Sequence, residues 1–398
     1  MKVLGKYKNG NADVAILNDG TKIRQTRDDK FVFDHAENMD IKICDRCSAG
    51  CPMCHEGSTP DGKLADIMNA KFVNTFHAYQ EVALGGGNVL EHPDLIPFLH
   101  KLKNLKVITN ITINQIHFEQ NEELVQQLID QELVYGLGIS LVNPTLEFIE
   151  KVKKYPNAVI HVINGIFTPK NYLALRDNGL KMLILGFKQI RRGSDYFTDH
   201  EDSVRENQNW LKENLEEVNK GFKVVSFDNL AIEQLNVRRL MSDKEWDEFY
   251  MGRDGDVTYY IDMVEEKFAK SSTAPFDNRF PLLDDVDDMF RTIRFMEENF
   301  ECNNMEYQVV YTNDDKNMII TATDTLDKPL TIHFDNSDER IIKNNDGSLY
   351  FVQKVPLEWV LNQVNDEDKQ KINKAIENSY LLGEKVSIEN VTLNSVYR

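Results

Sequence analysis

The chain has 398 residues, of which 41% are hydrophobic and 28% charged, a globular composition that can build a core without disulfide staples. Its 65 acidic side chains outnumber 46 basic ones, and the resulting net charge of −19 disfavours duplex nucleic acid, because phosphates are repelled at every approach. No apolar run reaches the roughly 20 residues of a membrane span, and the first residues lack the apolar region of a signal peptide. We therefore expect a cytoplasmic protein with no membrane contact.

The first 38 residues have the pattern of a β-hairpin extension. Asn9-Gly10 and Asp19-Gly20 separate short alternating runs, and such dipeptides are hairpin signals. The predicted strands are Val3–Tyr7, Ala12–Leu17 and Lys22–Gln25.

Strands alternate with helices over residues 39–230. The predicted strands are Ile41–Ile43, Glu81–Leu84, Lys106–Thr109, Gly136–Leu141, Ala158–Ile163, Lys181–Phe187 and Lys223–Phe227. The predicted helices are Leu64–Tyr79, His92–Leu102, Asn121–Glu132, Thr145–Lys153, Tyr172–Asn178 and Asp202–Asn219. This spacing predicts βα units around a parallel sheet, an α/β fold, and apolar runs such as Met182–Leu185 indicate strands buried on both faces.

Two further regions follow. Residues 231–302 are predicted to extend the core with a hairpin, Val257–Met263 and Lys267–Lys270, and with an amphipathic helix over 285–299. A boundary near residue 302 leads to an α+β C-terminal domain over 303–398. Its predicted elements are the strands Gln308–Thr312, Met318–Thr321, Leu330–Phe334 and Tyr350–Val355 and a helix Asp366–Tyr380.

Four of the five cysteines lie together directly after the first strand of the βα series, and the fifth, Cys302, stands alone. Within the run, Cys47, Cys51 and Cys54 have C-x3-C-x2-C spacing. Three soft thiolates on one loop can hold three corners of a cubane iron–sulfur cluster and leave its fourth iron open. An open iron can bind a substrate or a cofactor.

This loop resembles that of the radical SAM superfamily. The resemblance implies a partial (β/α)6 TIM-like radical SAM barrel over residues 39–230 and a [4Fe–4S] cluster on Cys47, Cys51 and Cys54. It also implies that S-adenosylmethionine (SAM) chelates the open iron and is cleaved reductively to a 5′-deoxyadenosyl radical, which abstracts a hydrogen atom from the substrate. An electron donor such as flavodoxin or ferredoxin would supply the electron. The stretch from His55 to Lys63 is similar to poorly characterised phage and bacterial members, and the chain has no second cysteine cluster for an auxiliary-cluster domain.

A glycine-rich segment after the second strand strengthens the resemblance. Gly85, Gly86 and Gly87 are followed by Asn88 and, shortly afterwards, His92-Pro93-Asp94. In the family such glycines let the backbone approach the amino group of the cofactor. Asn88 stands where the family most often has Glu, which leaves the backbone interaction intact. The alternative is a strand-to-helix turn that needs glycine for its torsion angles.

Other cofactor positions follow from the fold implied by the resemblance. Met53, before the third cysteine, stands where an aromatic residue often packs near the adenine. Ser140, at the end of the fourth strand, is the candidate for the ribose or carboxylate. Arg191 and Arg192 are candidates for the carboxylate, because a guanidinium matches it in a bidentate geometry. The residues His55, Glu56 and Lys63 are candidates for lining the site, with the alternative that they are ordinary loop residues.

Cys44 leaves a different function open. As a fourth ligand it would close the metal site and favour a zinc- or cluster-stabilised binding protein without catalysis, although C-x2-C pairs in zinc sites usually stand farther apart. The alternative for Cys44 is a buried thiol at the end of the first strand. A degenerate barrel that holds a cluster without catalysis is a third hypothesis. The substrate stays open among a small molecule, a nucleotide and a peptide, and the flanking segments are expected to cap the barrel mouth.

Overall fold

The structure is a computed structural model that describes residues 2–300 and, beyond them, 306–311, 317–323, 341–343, 349–351, 354–356, 366–367, 369–371, 373–374 and 386–391. The chain divides into two compact units, Met1–Thr273 with Leu282–Asp288, and Ala274–Pro281 with Met289–Arg398. The predicted boundary near residue 302 and the predicted strand Leu330–Phe334 lie outside the described residues.

A large parallel sheet forms the first unit. Its successive strands are β4 (Asn38–Cys44), β5 (Glu81–Gly86), β6 (Ile108–Asn114), β7 (Gly136–Ser140), β8 (Ala158–Ile163), β9 (Lys181–Leu185) and β10 (Val224–Phe227). Each is hydrogen-bonded in parallel to the next along the chain. The predicted α/β class with a parallel sheet is confirmed.

The predicted hairpin in residues 257–270 extends the core by pairing with a strand that the sequence did not indicate. Its first strand, β11 (Thr258–Asp262), pairs in parallel with β4, and Tyr260 lies opposite Asp40. Its second strand, β12 (Lys267–Ala269), is antiparallel to β11. The hairpin therefore extends the main sheet on the free side of β4.

Several of the helices of the first unit, but not all, begin at a side-chain cap. The helices are α1 (Leu95–Asn104), α2 (Gln115–Gln120), α3 (Glu122–Asp130), α4 (Leu146–Lys153), α5 (Pro169–Leu175), α6 (Arg192–Glu213), α7 (Leu215–Lys220), α8 (Asn229–Leu235) and α9 (Asp243–Phe249), and α10 (Val286–Phe300) follows them. The Thr145 side chain caps α4, and Thr168 forms a capping box with Asn171 at α5. Such a cap contributes about 1 kcal/mol by satisfying an N–H that has no partner within the helix.

The predicted helix Leu64–Tyr79 is wrong. Only a short 3-10 helix, Lys71–Thr75, forms there. The preceding backbone bonds to β4 instead, since the Ala65 N–H donates to the Ile43 carbonyl at 3.0 Å. The Asp66 carboxylate also accepts from the Asn69 N–H at 3.2 Å, which closes a turn. These bonds satisfy the backbone groups that a helix would have used.

The main strands have two different faces. One is apolar and fully buried, for example Ile41 in β4, Ile139 in β7 and Ile160 in β8. The other lines a large cavity and carries small or polar side chains, such as Gly138 and His161, together with apolar ones on β8 and β9, such as Ile163 and Leu183. The expectation that runs such as Met182–Leu185 are buried on both faces is therefore met on one face only, because Leu183 and Leu185 line the cavity and are half-buried.

The N-terminal segment forms a three-stranded antiparallel sheet of β1 (Val3–Asn9), β2 (Ala12–Leu17) and β3 (Lys22–Gln25), in that order. It contacts the amino-terminal ends of the parallel strands. The Asp19 carbonyl accepts from Lys181 Nζ at 3.3 Å, at the first residue of β9. Lys22 and Arg24 pair with Glu37, directly before β4. The expectation that this segment caps the barrel mouth is wrong, because a mouth would lie at the opposite, carboxyl ends.

The second unit is described mainly by its strands. These are β13 (Phe280–Pro281), β14 (Glu306–Tyr311), β15 (Asn317–Thr323), β16 (Ile341–Lys343), β17 (Leu349–Phe351), β18 (Lys354–Pro356) and β19 (Val386–Val391). An antiparallel sheet has the order β18-β15-β14-β19, and β16 pairs with β17. Across the described residues, no helix is both long and apolar enough to cross a membrane.

Candidate cofactor site

The cysteine loop starts where β4 ends. Its two ends are held together by backbone hydrogen bonds, from the Asp45 N–H to the Lys63 carbonyl at 2.8 Å and from the Cys47 N–H to the Thr59 carbonyl at 2.9 Å. The tip of the loop, which carries Cys51 and Cys54, is thereby presented at the carboxyl ends of the strands. This is the end at which α/β proteins place their chemistry.

Burial divides the four local cysteines, all of which are free thiols. Cys47, Cys51 and Cys54 line the cavity. Cys44 is fully buried on β4 and does not line it, and burial raises the pKa of its thiol to about 12. A buried thiol of this kind is a poor metal ligand, because the thiolate is the coordinating form. The structure thus separates Cys44 from the other three.

Two side chains that the sequence did not indicate contact thiols that line the cavity. Asn114 Nδ2 lies 3.4 Å from Cys51 Sγ, and His117 Nε2 lies 3.5 Å from Cys47 Sγ. Both come from the end of β6 and the start of α2. The predicted strand ended at Thr109, five residues short of its actual end at Asn114, so the carboxyl end of this strand was misplaced. The alternating run Ile-Thr-Asn-Ile-Thr-Ile-Asn was the signal that could have shown it.

The donor set fits an iron–sulfur cluster better than a single ion. Among the described residues, no three His, Cys, Asp or Glu side chains are gathered to hold one metal ion. A cubane cluster binds each thiolate to a different iron, so its ligands need to share a cavity wall rather than one ion. Cys47, Cys51 and Cys54 share such a wall.

The glycine segment packs against the cysteine loop. The Gly87 N–H donates to the Cys44 carbonyl at 2.7 Å, and the Asn88 N–H donates to the Arg46 carbonyl at 2.6 Å. A Cβ on Gly86, whose φ is +107°, would lie 2.3 Å from the Cys44 carbonyl oxygen, and one on Gly87 would lie 2.1 Å from that of Arg46. The alternative of a tight strand-to-helix turn therefore explains why glycine stands at these two positions. All three glycines line the cavity, and Gly85 differs from the other two because a Cβ on it would meet nothing within 4 Å.

Asn88 and His92 hold the backbone after this segment. The Asn88 side chain accepts from the Leu90 N–H at 3.3 Å and donates to Glu91 at 2.9 Å, and it does not line the cavity. His92 Nε2 lies 2.9 Å from the Ala65 carbonyl. Both side chains are buried, so their contacts are with the protein itself.

A buried ion cluster anchors the loop to the sheet. The Lys42 side chain is 1% exposed, and its ammonium lies 2.6 Å from Asp45, 3.3 Å from Glu56 and 3.3 Å from Asp262. Burial alone would lower the pKa of Lys42, but the three carboxylates outweigh it and hold that pKa above its ordinary value. Burial likewise opposes charge on Glu56, yet a hydrogen bond from His55 and nearby cations keep its pKa well below the usual range.

The three basic residues after β9 have different hydrogen-bond and ion-pair partners. Lys188 Nζ donates to Ser272 Oγ at 2.8 Å and lies 3.4 Å from His55 Nε2. Arg191 pairs with Glu56 at 3.5 Å. Arg192 donates to the Ser58 carbonyl at 2.9 Å. The two arginines reach the cysteine loop without lining the cavity, whereas Met53, His55, Glu56 and Ser140 do line it. Lys63 lies outside, 73% exposed and 3.6 Å from Glu265.

The cavity of about 1310 Å³ extends from the cysteine loop to β2 and β3 at the other end of the strands. Polar side chains from the middle of the sheet project into it, among them Asp40 and His161. Asp40 is accessible from the cavity, yet desolvation by the cavity walls, together with the neighbouring carboxylates of Asp254 and Asp228, raises its pKa to about 6. Burial lowers the pKa of His161 to about 4, so this imidazole is neutral at pH 7.

The similar solved structures include three crystal structures of Streptococcus suis SuiB. SuiB alone aligns with a TM-score of 0.40 at 14% identity, covering 60% of this chain and 61% of that chain. SuiB bound to S-adenosylmethionine gives 0.37 at 16% identity, covering 60% and 59%. SuiB bound to the precursor peptide SuiA gives 0.38 at 15% identity, covering 60% of each chain. No protein-family model and no curated protein matches this chain.

This chain spans about three fifths of the length of SuiB. TM-scores below 0.5 leave activity and substrate to be argued from the residues of this chain.

Proposed function

We propose that this chain is a radical SAM enzyme that holds one [4Fe–4S] cluster on Cys47, Cys51 and Cys54. The observation that carries the proposal is the division of the local cysteines. Three line a cavity at the carboxyl ends of a parallel sheet, and the fourth is buried away from it. A ligand set of three leaves the fourth iron open, which is the feature that distinguishes a catalytic cluster from one that only carries electrons.

When bound, the cluster would pass one electron, taken from a donor such as flavodoxin or ferredoxin, to S-adenosylmethionine. The chain's own residues have other tasks. We assign contact with the cofactor to the exposed backbone at Gly85 and to the cavity-lining side chains of Met53 and Ser140. The Gly86-Gly87 pair and Asn88 act indirectly, since their tight packing against the loop fixes the position of Gly85.

The substrate would lie deeper in the cavity, between the cofactor and β2 and β3. The side chains there are polar, including Asp40 and His161 as well as Asn110 and Thr112 on β6. These groups hydrogen-bond and orient a polar molecule or a polar side chain. A small molecule, a nucleotide and a peptide segment all fit that description. We also propose that residues 39–230 form a partial (β/α) barrel around this cavity.

Anaerobic reconstitution tests the proposal. The protein should bind iron and sulfide in equal amounts and, with dithionite and SAM, should release 5′-deoxyadenosine. Cys47→Ala, Cys51→Ala and Cys54→Ala should each lose the cluster and the product. Release of 5′-deoxyadenosine by these variants would show the assignment to be wrong. One zinc and no sulfide in anaerobically purified protein would favour a zinc-stabilised binding protein.

A further inference from the structure

We propose that Asn114 and His117 are positioning residues that donate hydrogen bonds to the cysteine ligands of the iron–sulfur cluster and thereby raise its reduction potential. The inference rests on the proposed function, because it concerns the cluster that Cys47, Cys51 and Cys54 would hold. It assigns a role to the junction between β6 and α2, which neither the cysteine spacing nor the glycine segment indicates.

Asn114 reaches one of the ligand atoms directly from the cavity wall. Its Nδ2 donates to Cys51 Sγ at 3.4 Å, and both residues line the cavity. Sulfur is a larger acceptor than oxygen, so a hydrogen bond to it is correspondingly longer. The contact is made with the coordinating atom itself, and it therefore persists when that thiolate also binds iron.

The orientation of the Asn114 amide is fixed by its other end. Its Oδ1 accepts from the Ile116 N–H at 2.9 Å and so caps the start of α2. Turning the amide over would place its NH2 group against that N–H, where two donors would face each other. The cap therefore directs the N–H donor of Asn114 at Cys51.

His117 supplies a second donor from the first turn of α2. Its Nε2 lies 3.5 Å from Cys47 Sγ, and the residue is 2% exposed. In the tautomer that carries its proton on Nε2, the imidazole donates to the thiolate, which itself has no proton to give. Two of the three proposed ligands thus have a side-chain donor from the same short segment.

The segment that carries both donors is held in place before any cluster binds. The Gln115 side chain is buried, accepts from the Val142 and Asn143 N–H groups at 2.8 Å each, and donates to the Asn143 carbonyl at 2.8 Å. Asn121 Nδ2 donates to the His117 carbonyl at 2.8 Å. These bonds fix the donors relative to the strand ends, as the outer contacts of metal ligands usually are fixed.

The direction of the effect follows from the charge of the ligands. An N–H group turns the positive end of its dipole toward the thiolate, and reduction places one more electron on the cluster. Hydrogen bonds to charged groups are stronger than neutral ones, and those to the sulfur atoms help to set cluster potentials. Both donors therefore favour the reduced form, in a partly buried site where charges are screened less than in water.

The test measures the one-electron midpoint potential of the reconstituted cluster without SAM, by mediated dithionite titration followed by electron paramagnetic resonance. Asn114→Ser keeps a side-chain oxygen that can cap α2 but loses the amide that reaches Cys51. We expect it to disfavour the reduced cluster at least threefold, a fall of about 28 mV at about 59 mV for each tenfold change. Asn114→Asp, which keeps the cap and adds a negative charge, should lower the potential further.

A matched pair of variants tests His117. His117→Leu removes the donor and should also lower the potential at least threefold, whereas His117→Gln has an amide N–H of similar reach and should retain part of the wild-type value. Gln126→Ala, which removes an exposed amide from α3, should leave the potential unchanged.

Other outcomes overturn the inference in distinguishable ways. Wild-type potentials in fully loaded Asn114→Ser and His117→Leu proteins refute it, and a weaker affinity for SAM in Asn114→Ser at an unchanged potential would assign Asn114 to the cofactor. If no variant at either position takes up iron, the two side chains act in cluster assembly and the inference is wrong. A wild-type protein that binds no cluster overturns the proposed function. A wild type that loads and cleaves SAM, with variants that keep its potential, overturns this inference alone.

Discussion

Burial, rather than spacing along the chain, distinguishes the cysteines that can hold a metal from the one that cannot. Cys44 and Cys47 have the C-x2-C spacing of a metal-ligand pair. Cys44 nevertheless lies on β4, and burial raises the pKa of its thiol to about 12. The sequence left its role open for this reason. Spacing says which thiols can meet, but only the fold decides which of them face the cavity.

The role of Cys44 is tested by Cys44→Ala. Because its thiol does not line the cavity, we expect this variant to bind as much iron and sulfide as the wild type after reconstitution. Its free energy of unfolding should fall slightly, since a small buried group is lost. Loss of the cluster in a variant that is folded by circular dichroism would make Cys44 a ligand.

The Lys42 ammonium balances the charge of three carboxylates, and we expect its removal to lower the free energy of unfolding. Lys42→Met leaves Asp45, Glu56 and Asp262 without their shared cation. Breaking a buried pair by deleting one partner typically costs about 3–5 kcal/mol. Urea denaturation should show this loss. Lys8→Met, at a side chain that is 80% exposed, is the matched control and should change the midpoint little. Equal effects of the two variants would contradict the buried cluster.

The pKa of Asp40 predicts a pH-dependent stability. Because its folded-state pKa is raised from 3.8 to about 6, its ionisation weakens the folded state above pH 6, and this cost disappears as pH falls toward 3.8. Asp40→Asn should therefore be more stable than the wild type at pH 8, and the difference should shrink toward pH 4. Denaturation midpoints at several pH values measure it, with the exposed Asp13→Asn as a control for net charge. A difference independent of pH would be inconsistent with the raised pKa of Asp40.

At the scale of elements, the turn between β5 and α1 has two kinds of glycine. A Cβ on Gly86 would collide with the Cys44 carbonyl, whereas one on Gly85 would project into open space. We expect Gly86→Ala to lower the free energy of unfolding and the amount of cluster retained. Gly85→Ala should keep both and weaken SAM binding, measured by calorimetry on the reconstituted protein. The reverse pattern would mean that the cofactor approaches Gly86.

The alternation of strands and helices could be predicted, because apolar periodicity records the face that each strand turns to the helices. The strands β5, β7 and β8 were placed to within about two residues. The face that each strand turns to the cavity was not predicted, since polar residues such as Asn110 and His161 leave the apolar periodicity of the strands intact. The pairing of β11 with β4 joins segments about 220 residues apart, which local signals cannot show. Asn114 and His117 were missed for a different reason, because the predicted strand ended at Thr109, short of the carboxyl end of β6.

At the scale of the whole unit, the N-terminal sheet is held to the amino ends of the strands by ion pairs. Glu37 has a side chain that is 2% exposed and pairs with both Arg24 and Lys22. We expect Arg24→Ala to release this sheet, so that amide hydrogens in β1, β2 and β3 exchange faster while those in β6 and β7 keep their protection. Hydrogen exchange with mass spectrometry measures both. Lys8→Ala is the control, and uniform protection in Arg24→Ala would show that the ion pair does not hold the sheet.

The position of β2 and β3 at one end of the cavity has a kinetic consequence. If this sheet closes the far end of the cavity, we expect molecules to enter and leave from the side of the cysteine loop. With the cofactor seated at that loop, the molecule that goes deepest must arrive first and depart last. Steady-state measurements should then show compulsory-order binding, with SAM adding second and 5′-deoxyadenosine inhibiting competitively against SAM. A random-order pattern would indicate a second route into the chamber.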